Sequence, residues 1–228
     1  MNKGPFKFFV IVFLSVFFSP ILKAFPPGDS AQVTVAAYAL SNSEIKSLMD
    51  KSVNVILNAE MSQGDIQSYV SLDASHLLVD GRGFDYVTLN TWANAGASII
   101  VDHSFSTFDI KSLTGSGGNK VYVFARGMDI FDLEAFITNG ANIIFDRSTS
   151  YSYLYSAIKK YGGRIYLDTK GFSLLELKDM MTYGAGVFIT GAIYTGDIRN
   201  LIKQANRYGG NVIINQRLSY FDIKFMLE

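Results

Sequence analysis

The sequence predicts a curved α/β solenoid, a horseshoe of tandem 22-residue strand-helix repeats built on one parallel sheet. Three observations predict it: a strict period in the aliphatic runs, a recurring helix-start signal, and glycines where each unit turns back to the next strand.

The elements follow in chain order. Lys3 and Lys7 precede an apolar run from Phe8 to Phe18, Pro20 breaks it, and Leu22-Lys23-Ala24 offers a small residue at a cleavage position. This predicts a secretory signal peptide over residues 1–24, because the stretch from Phe8 to Leu22 is shorter than the roughly 20 residues that span a bilayer. Residues 25–32 read as a linker and 33–228 as a single domain of nine units. The chain is then expected to be secreted or periplasmic, with no membrane association after cleavage.

Aliphatic runs begin at Val33, Val55, Leu77, Ile99, Val121, Ile143, Ile165, Val187 and Val212. Seven consecutive steps are 22 residues and the last is 25, which is the signature of a repeat architecture. The longer step predicts one extra helical turn in the eighth unit, between Asp197 and Tyr208.

Each helix start is marked by an apolar residue, then Ser or Asp, then an acid three positions on. The pairs are Ser41 with Glu44, Ser62 with Asp65, Ser106 with Asp109, Asp129 with Asp132, Ser173 with Glu176, and Ser219 with Asp222. They are capping boxes with a hydrophobic staple, so these acids need no catalytic explanation. Apolar residues recur at helical spacing behind them, and Trp92 falls on the buried stripe. Gly96, Gly140, Gly162, Gly184 and Gly209 close the helices.

Strands joined by helices run parallel with right-handed crossovers, which puts all the helices on one side of the sheet. Strands lie about 4.8 Å apart and packed helices about 8 to 10 Å, so the sheet must curve, and untilted units would close only after roughly 15 repeats. Nine units therefore predict an open horseshoe, with a closed (β/α) barrel as the alternative.

Alternation along each strand turns Ile56, Leu78, Ile100, Tyr122, Ile144, Tyr166, Phe188 and Ile213 inward, together with Thr34. Either these side chains fill a tight trough or a closed ring, as near-continuous apolar strands usually do, or the stripe is a binding surface on an exposed concave face. Beside it, at the C-terminal ends of the strands, lies a polar column of Asn58, Asp80, Asp102, Asp146, Asp168 and Asn215. Asn and Asp interchange in this column, which suits oxygens that accept loop amides. The alternative is an acid-base pair such as Asp80 with Asp102, or oxygen ligands for a divalent cation. His76 and His103 are too scattered to form a metal cluster.

The chain has no Cys, hence no disulfide and no thiol chemistry. Removal of residues 1–24 leaves 17 basic and 20 acidic residues, without the basic footprint of a nucleic-acid binder. No Walker loop, nucleophile elbow, HExxH helix or dinucleotide fingerprint occurs. These features predict a noncatalytic binding or scaffold protein, not an enzyme, with no cofactor or metal. Its partner would be a protein or a second copy of itself, held by the inner face or the terminal edge strands. Two alternatives remain: a hydrolase or cation-dependent binder using the Asp column, and a structural protein assembling end to end.

Overall fold

The computed structural model describes residues 32–227 apart from 39 and 118–120. The predicted signal peptide and nearly all of the linker lie outside the described residues.

Among the described residues nine strands alternate with nine helices. β1 (Val33–Ala36) leads into α1 (Asn42–Met49), β2 (Asn54–Leu57) into α2 (Gln63–Asp73), and β3 (Leu77–Asp80) into α3 (Tyr86–Ala95). β4 (Ser98–Val101) precedes α4 (Thr107–Gly117), β5 (Val121–Phe124) precedes α5 (Ile130–Thr138), and β6 (Asn142–Phe145) precedes α6 (Tyr151–Tyr161). The last three units are β7 (Ile165–Asp168) with α7 (Leu174–Met181), β8 (Gly186–Ile189) with α8 (Thr195–Tyr208), and β9 (Val212–Ile214) with α9 (Tyr220–Leu227). The 25-residue step resides in α8, which has 14 residues where α7 has 8.

The helix starts follow their side-chain caps. Ser41 and Ser173 form reciprocal capping boxes with Glu44 and Glu176. Ser62, Ser106 and Ser219 each accept the amide three residues on at 3.1 Å. Asp129 accepts the Phe131 amide at 2.8 Å instead of the one at the third position.

The sheet closes on itself. β1 pairs in parallel with both β2 and β9, and the nine strands form a barrel. The horseshoe is therefore corrected to the alternative, and the terminal edge strands proposed for self-association pair with each other. The register shows how closure is reached. Val35 pairs with Val55, Val79 with Ile99, Val123 with Ile143 and Leu167 with Val187, each a step of two residues between equivalent positions. The other five joins carry no step, including Val212 with Val33.

One circuit thus accumulates a shear of eight residues, which over nine strands implies a tilt of about 30° and a radius of about 8 Å. Helices 10 Å further out then lie about 11 Å apart, wider than the closest packing assumed from the sequence. Bulky side chains fill that gap. Tyr69 on α2 donates its hydroxyl to Asn42 on α1 at 2.8 Å, and Trp92 on α3 donates Nε1–H to Gln67 on α2 at 2.8 Å.

Two cores result. One lies between sheet and helices, and the other fills the barrel. Ile56, Leu78, Ile100, Ile144, Tyr166, Phe188 and Ile213 are at most 3% exposed and belong to the second. Tyr122 packs edge-on against Tyr166 at 5.3 Å between ring centroids, and Phe124 against Phe188 at 5.2 Å. The stripe is therefore the packed interior of a closed ring, one of its two expected roles, and the concave binding surface is corrected.

Candidate functional site at the C-terminal mouth of the barrel

The polar column rings the C-terminal end of the barrel. Asn58, Asp80, Asp102, Asp146 and Asp168 each accept the backbone amide two residues on, at 3.3, 3.3, 2.9, 3.0 and 3.0 Å. This is the Asx turn, in which a short side-chain oxygen holds the first loop residue after a strand. Asn215 differs, because its Oδ1 accepts the Tyr38 hydroxyl. Burial, and after it the nearby Asp80 carboxylate, push the Tyr38 hydroxyl up to about 12.

The two-residue register steps bring further side chains to this end. After β1, β3, β5 and β7 the hydrogen-bond ladder runs one residue past the strand. The amides of Ala37, Gly81, Ala125 and Thr169 donate to the carbonyls of Ile56, Ile100, Ile144 and Phe188 at 3.0, 2.8, 2.9 and 2.9 Å. One residue more sets Tyr38 beside Asn58, Arg82 beside Asp102, Arg126 beside Asp146, and Lys170 beside Thr190. Cations and carboxylates thereby alternate around part of the mouth.

Arg82 is committed to Asp80, with Nε donating to Oδ1 at 2.8 Å while the guanidinium lies 5.3 Å from the Phe124 ring centroid. Asp80 is 4% exposed, so the pair caps the apolar interior. Asp80 and Asp102 do not form a free acid-base couple, because Arg82 interacts with both carboxylates. Asp102 accepts Ser104 Oγ–H at 2.6 Å. Burial pushes the Asp102 carboxyl up, but the Ser104 hydrogen bonds together with His103 and Arg82 hold it below the usual aspartate range. Asp146 accepts the Ser148 hydroxyl and lies 3.7 Å from Arg126 Nε. Asp168 accepts the Thr190 hydroxyl.

Arg82, Asp102, His103, Phe124, Arg126, Asp146, Arg147, Ser148, Asp168, Lys170 and Thr190 line one cleft of about 550 Å³. A second depression, sharing Arg82 and Thr190, continues toward Tyr38, Glu60 and Arg217. Arg126 is 73% exposed and reaches over the cleft, and Arg147 bridges to Glu176 at the start of α7 at 3.2 Å. His103 is exposed and its ring lies over Gly127, where an added Cβ would sit 3.4 Å from the imidazole Cγ. His76 stands apart from the mouth, bonded to Asp73 at 2.8 Å. Among the described residues, no three carboxylate or imidazole groups are placed to hold a metal ion.

The sequence reading singled out the carboxylates of this cleft but missed the cations. A signal for them exists at twice the basic period, in Arg82-Gly83-Phe84-Asp85, Arg126-Gly127-Met128-Asp129 and Lys170-Gly171-Phe172-Ser173. Each basic residue precedes a glycine whose positive φ (101°, 79° and 96°) turns the loop into the next helix.

These features define a parallel (βα) barrel with a charged site at its C-terminal mouth. No family model matches the sequence, and no curated protein matches it. In structure the chain is similar to KGPDC from Streptococcus mutans, at 14% identity over 82% of this chain and 87% of that one, with a TM-score of 0.49. It is also similar to 7,8-dihydropteroate synthase from Vibrio fischeri ES114, at 8% identity over 87% and 93% of the two chains and a TM-score of 0.49. A third neighbour is a mutant tryptophan synthase α-subunit from Pyrococcus furiosus, at 13% identity, 87% and 94% coverage and a TM-score of 0.43.

The expectation of a noncatalytic, protein-binding solenoid that is not an enzyme is corrected, since the concave face on which it rested is the inside of a closed barrel.

Proposed function

We propose that the chain is a hydrolase whose active site is the C-terminal mouth of the barrel, and that its substrate is a small anion such as a phosphate ester. The observation that carries this reading is the convergence of Arg126, Arg147 and Lys170 with Asp102, Asp146 and His103 on one cleft. Guanidinium and ammonium groups bind an anionic centre and stabilise charge that grows on it as a bond breaks. Asp102, held ionised, orients a water or the His103 ring. An imidazole is the side chain suited to exchanging a proton near neutral pH. Arg82, neutralised by Asp80, forms the floor.

Orthophosphate should raise the melting temperature of the protein, and a panel of chromogenic phosphate esters should reveal turnover. Lys170→Ala with Arg126→Ala should abolish the thermal shift and lower kcat/KM by about a hundredfold or more. An unchanged response to phosphate in that double variant, or none in the native protein, would overturn the reading.

A further inference from the structure

The second residue of a helix is usually solvated, yet here it is repeatedly large and apolar. Val87, Phe108, Phe131, Leu175 and Phe221 occupy that position in α3, α4, α5, α7 and α9, and they are 71, 76, 79, 78 and 77% exposed. Tyr194, the residue before α8, is 85% exposed. In a barrel of this kind every helix begins at the C-terminal end of its strand. These side chains therefore stand at one level in a ring around the charged mouth, separated from one another by whole strand-helix units.

Folding does not account for them, since none packs into either core. A protein partner favours a contiguous apolar patch. Separate anchors at one height match a flat, fluid surface in which each side chain inserts independently. The charges add a second constraint. Next to the apolar residues stand carboxylates, Asp109, Asp132, Glu176 and Asp222, each third in its helix, with Asp132 paired to Lys111 and Glu176 to Arg147, while the exposed cations Arg126 and Lys170 lie at the centre. An acidic rim around a cationic centre complements a zwitterionic lipid surface, in which one headgroup phosphate meets the centre and the ammonium groups of neighbouring lipids meet the rim.

We infer that the mouth face docks on a bilayer of zwitterionic phospholipid, with the ring inserted and a headgroup phosphate presented to the cleft. The docking rests on the ring, and the placement of the phosphate rests on the function proposed above. It departs from the sequence reading, which expected no membrane association of the mature chain.

Flotation of the full chain with phosphatidylcholine vesicles tests it. The native protein should float with the lipid. Phe108→Ser, Phe131→Ser and Phe221→Ser together should weaken partitioning by at least about tenfold. Thermal melting should stay cooperative, and turnover of a soluble ester should be unchanged, because these rings are solvated and outside the cleft. A Phe131→Trp variant should show a blue-shifted emission on adding vesicles. Failure of the native protein to float, equal flotation of the triple variant, or flotation that requires an anionic lipid would each overturn the inference. Arg126→Ala with Lys170→Ala separates the two readings: loss of soluble turnover with retained flotation supports both, and flotation without phosphate binding in the native protein would sink the proposed function alone.

Discussion

At the scale of single residues, the acids of this chain divide by what their hydrogen bonds do. Glu176 caps α7 through the Ser173 amide at 2.8 Å and the Ser173 hydroxyl at 2.9 Å, and it also meets Arg147. The Ser173 amide first, and then its hydroxyl, hold this carboxyl below the ordinary value of 4.5. A lowered folded pKa contributes stability that is present above the unfolded value and lost as pH falls through the folded one. Glu176→Gln should therefore be less stable than the native protein at neutral pH, and the two should converge as the pH falls through the lowered folded value. Urea midpoints across that range read the difference, and parallel curves would refute the assignment. Ser173 with Glu176 was legible in the sequence because a capping box is local chemistry. Arg82, Arg126 and Lys170 were not, because their meeting with Asp102 and Asp146 depends on a register between strands 20 or more residues apart.

At the scale of elements, the strands were legible to within one residue, since Val33, Leu77, Val121, Ile165 and Val212 each begin one and Val55, Ile99, Ile143 and Val187 each stand second in theirs. What lay behind the aliphatic pattern was less visible. An inward apolar residue reads the same whether it faces a groove or the opposite wall of a barrel, and only the pairing of β1 with β9 decides. Small residues carry part of that information. An added Cβ at Gly186 would lie 2.6 Å from Tyr166 Cε1, so β8 starts with glycine to admit the Tyr166 ring, whose hydroxyl accepts from Asn211 at 3.1 Å. Tyr166 is 1% exposed and has nowhere to move. Gly186→Ala should therefore cost about 1 to 3 kcal/mol, measured by chemical denaturation. A neutral result would mean the interior near the start of β8 is looser than its packing indicates.

At the scale of the whole molecule, closure changes how the units depend on one another. In an open solenoid each repeat rests on its neighbours alone, and a terminal unit can be removed with a graded loss. Here β9 joins β8 to β1. A chain ending at Tyr208 should lose its cooperative melting transition and expose apolar surface to a dye such as ANS. A truncated chain that still melts sharply would show that the ring is not needed for folding.

The odd number of strands has a consequence for the shape of the mouth. Stepped and unstepped joins alternate from β1 to β8, as two colours alternate around a necklace, and nine beads cannot carry two colours without a repeat. The repeat falls at β8–β9 and β9–β1, two unstepped joins in succession. There the alternation of cation and carboxylate gives way to Tyr38 and Asn215. The mouth is therefore no blurred rotor in which a ligand could settle in several equivalent orientations. It has a fixed compass bearing, with its open charged arc on one side and, on the other, an arc of the Tyr38–Asn215 hydrogen bond and the Glu60–Arg217 ion pair, and a bound molecule with two unlike ends has one way to lie.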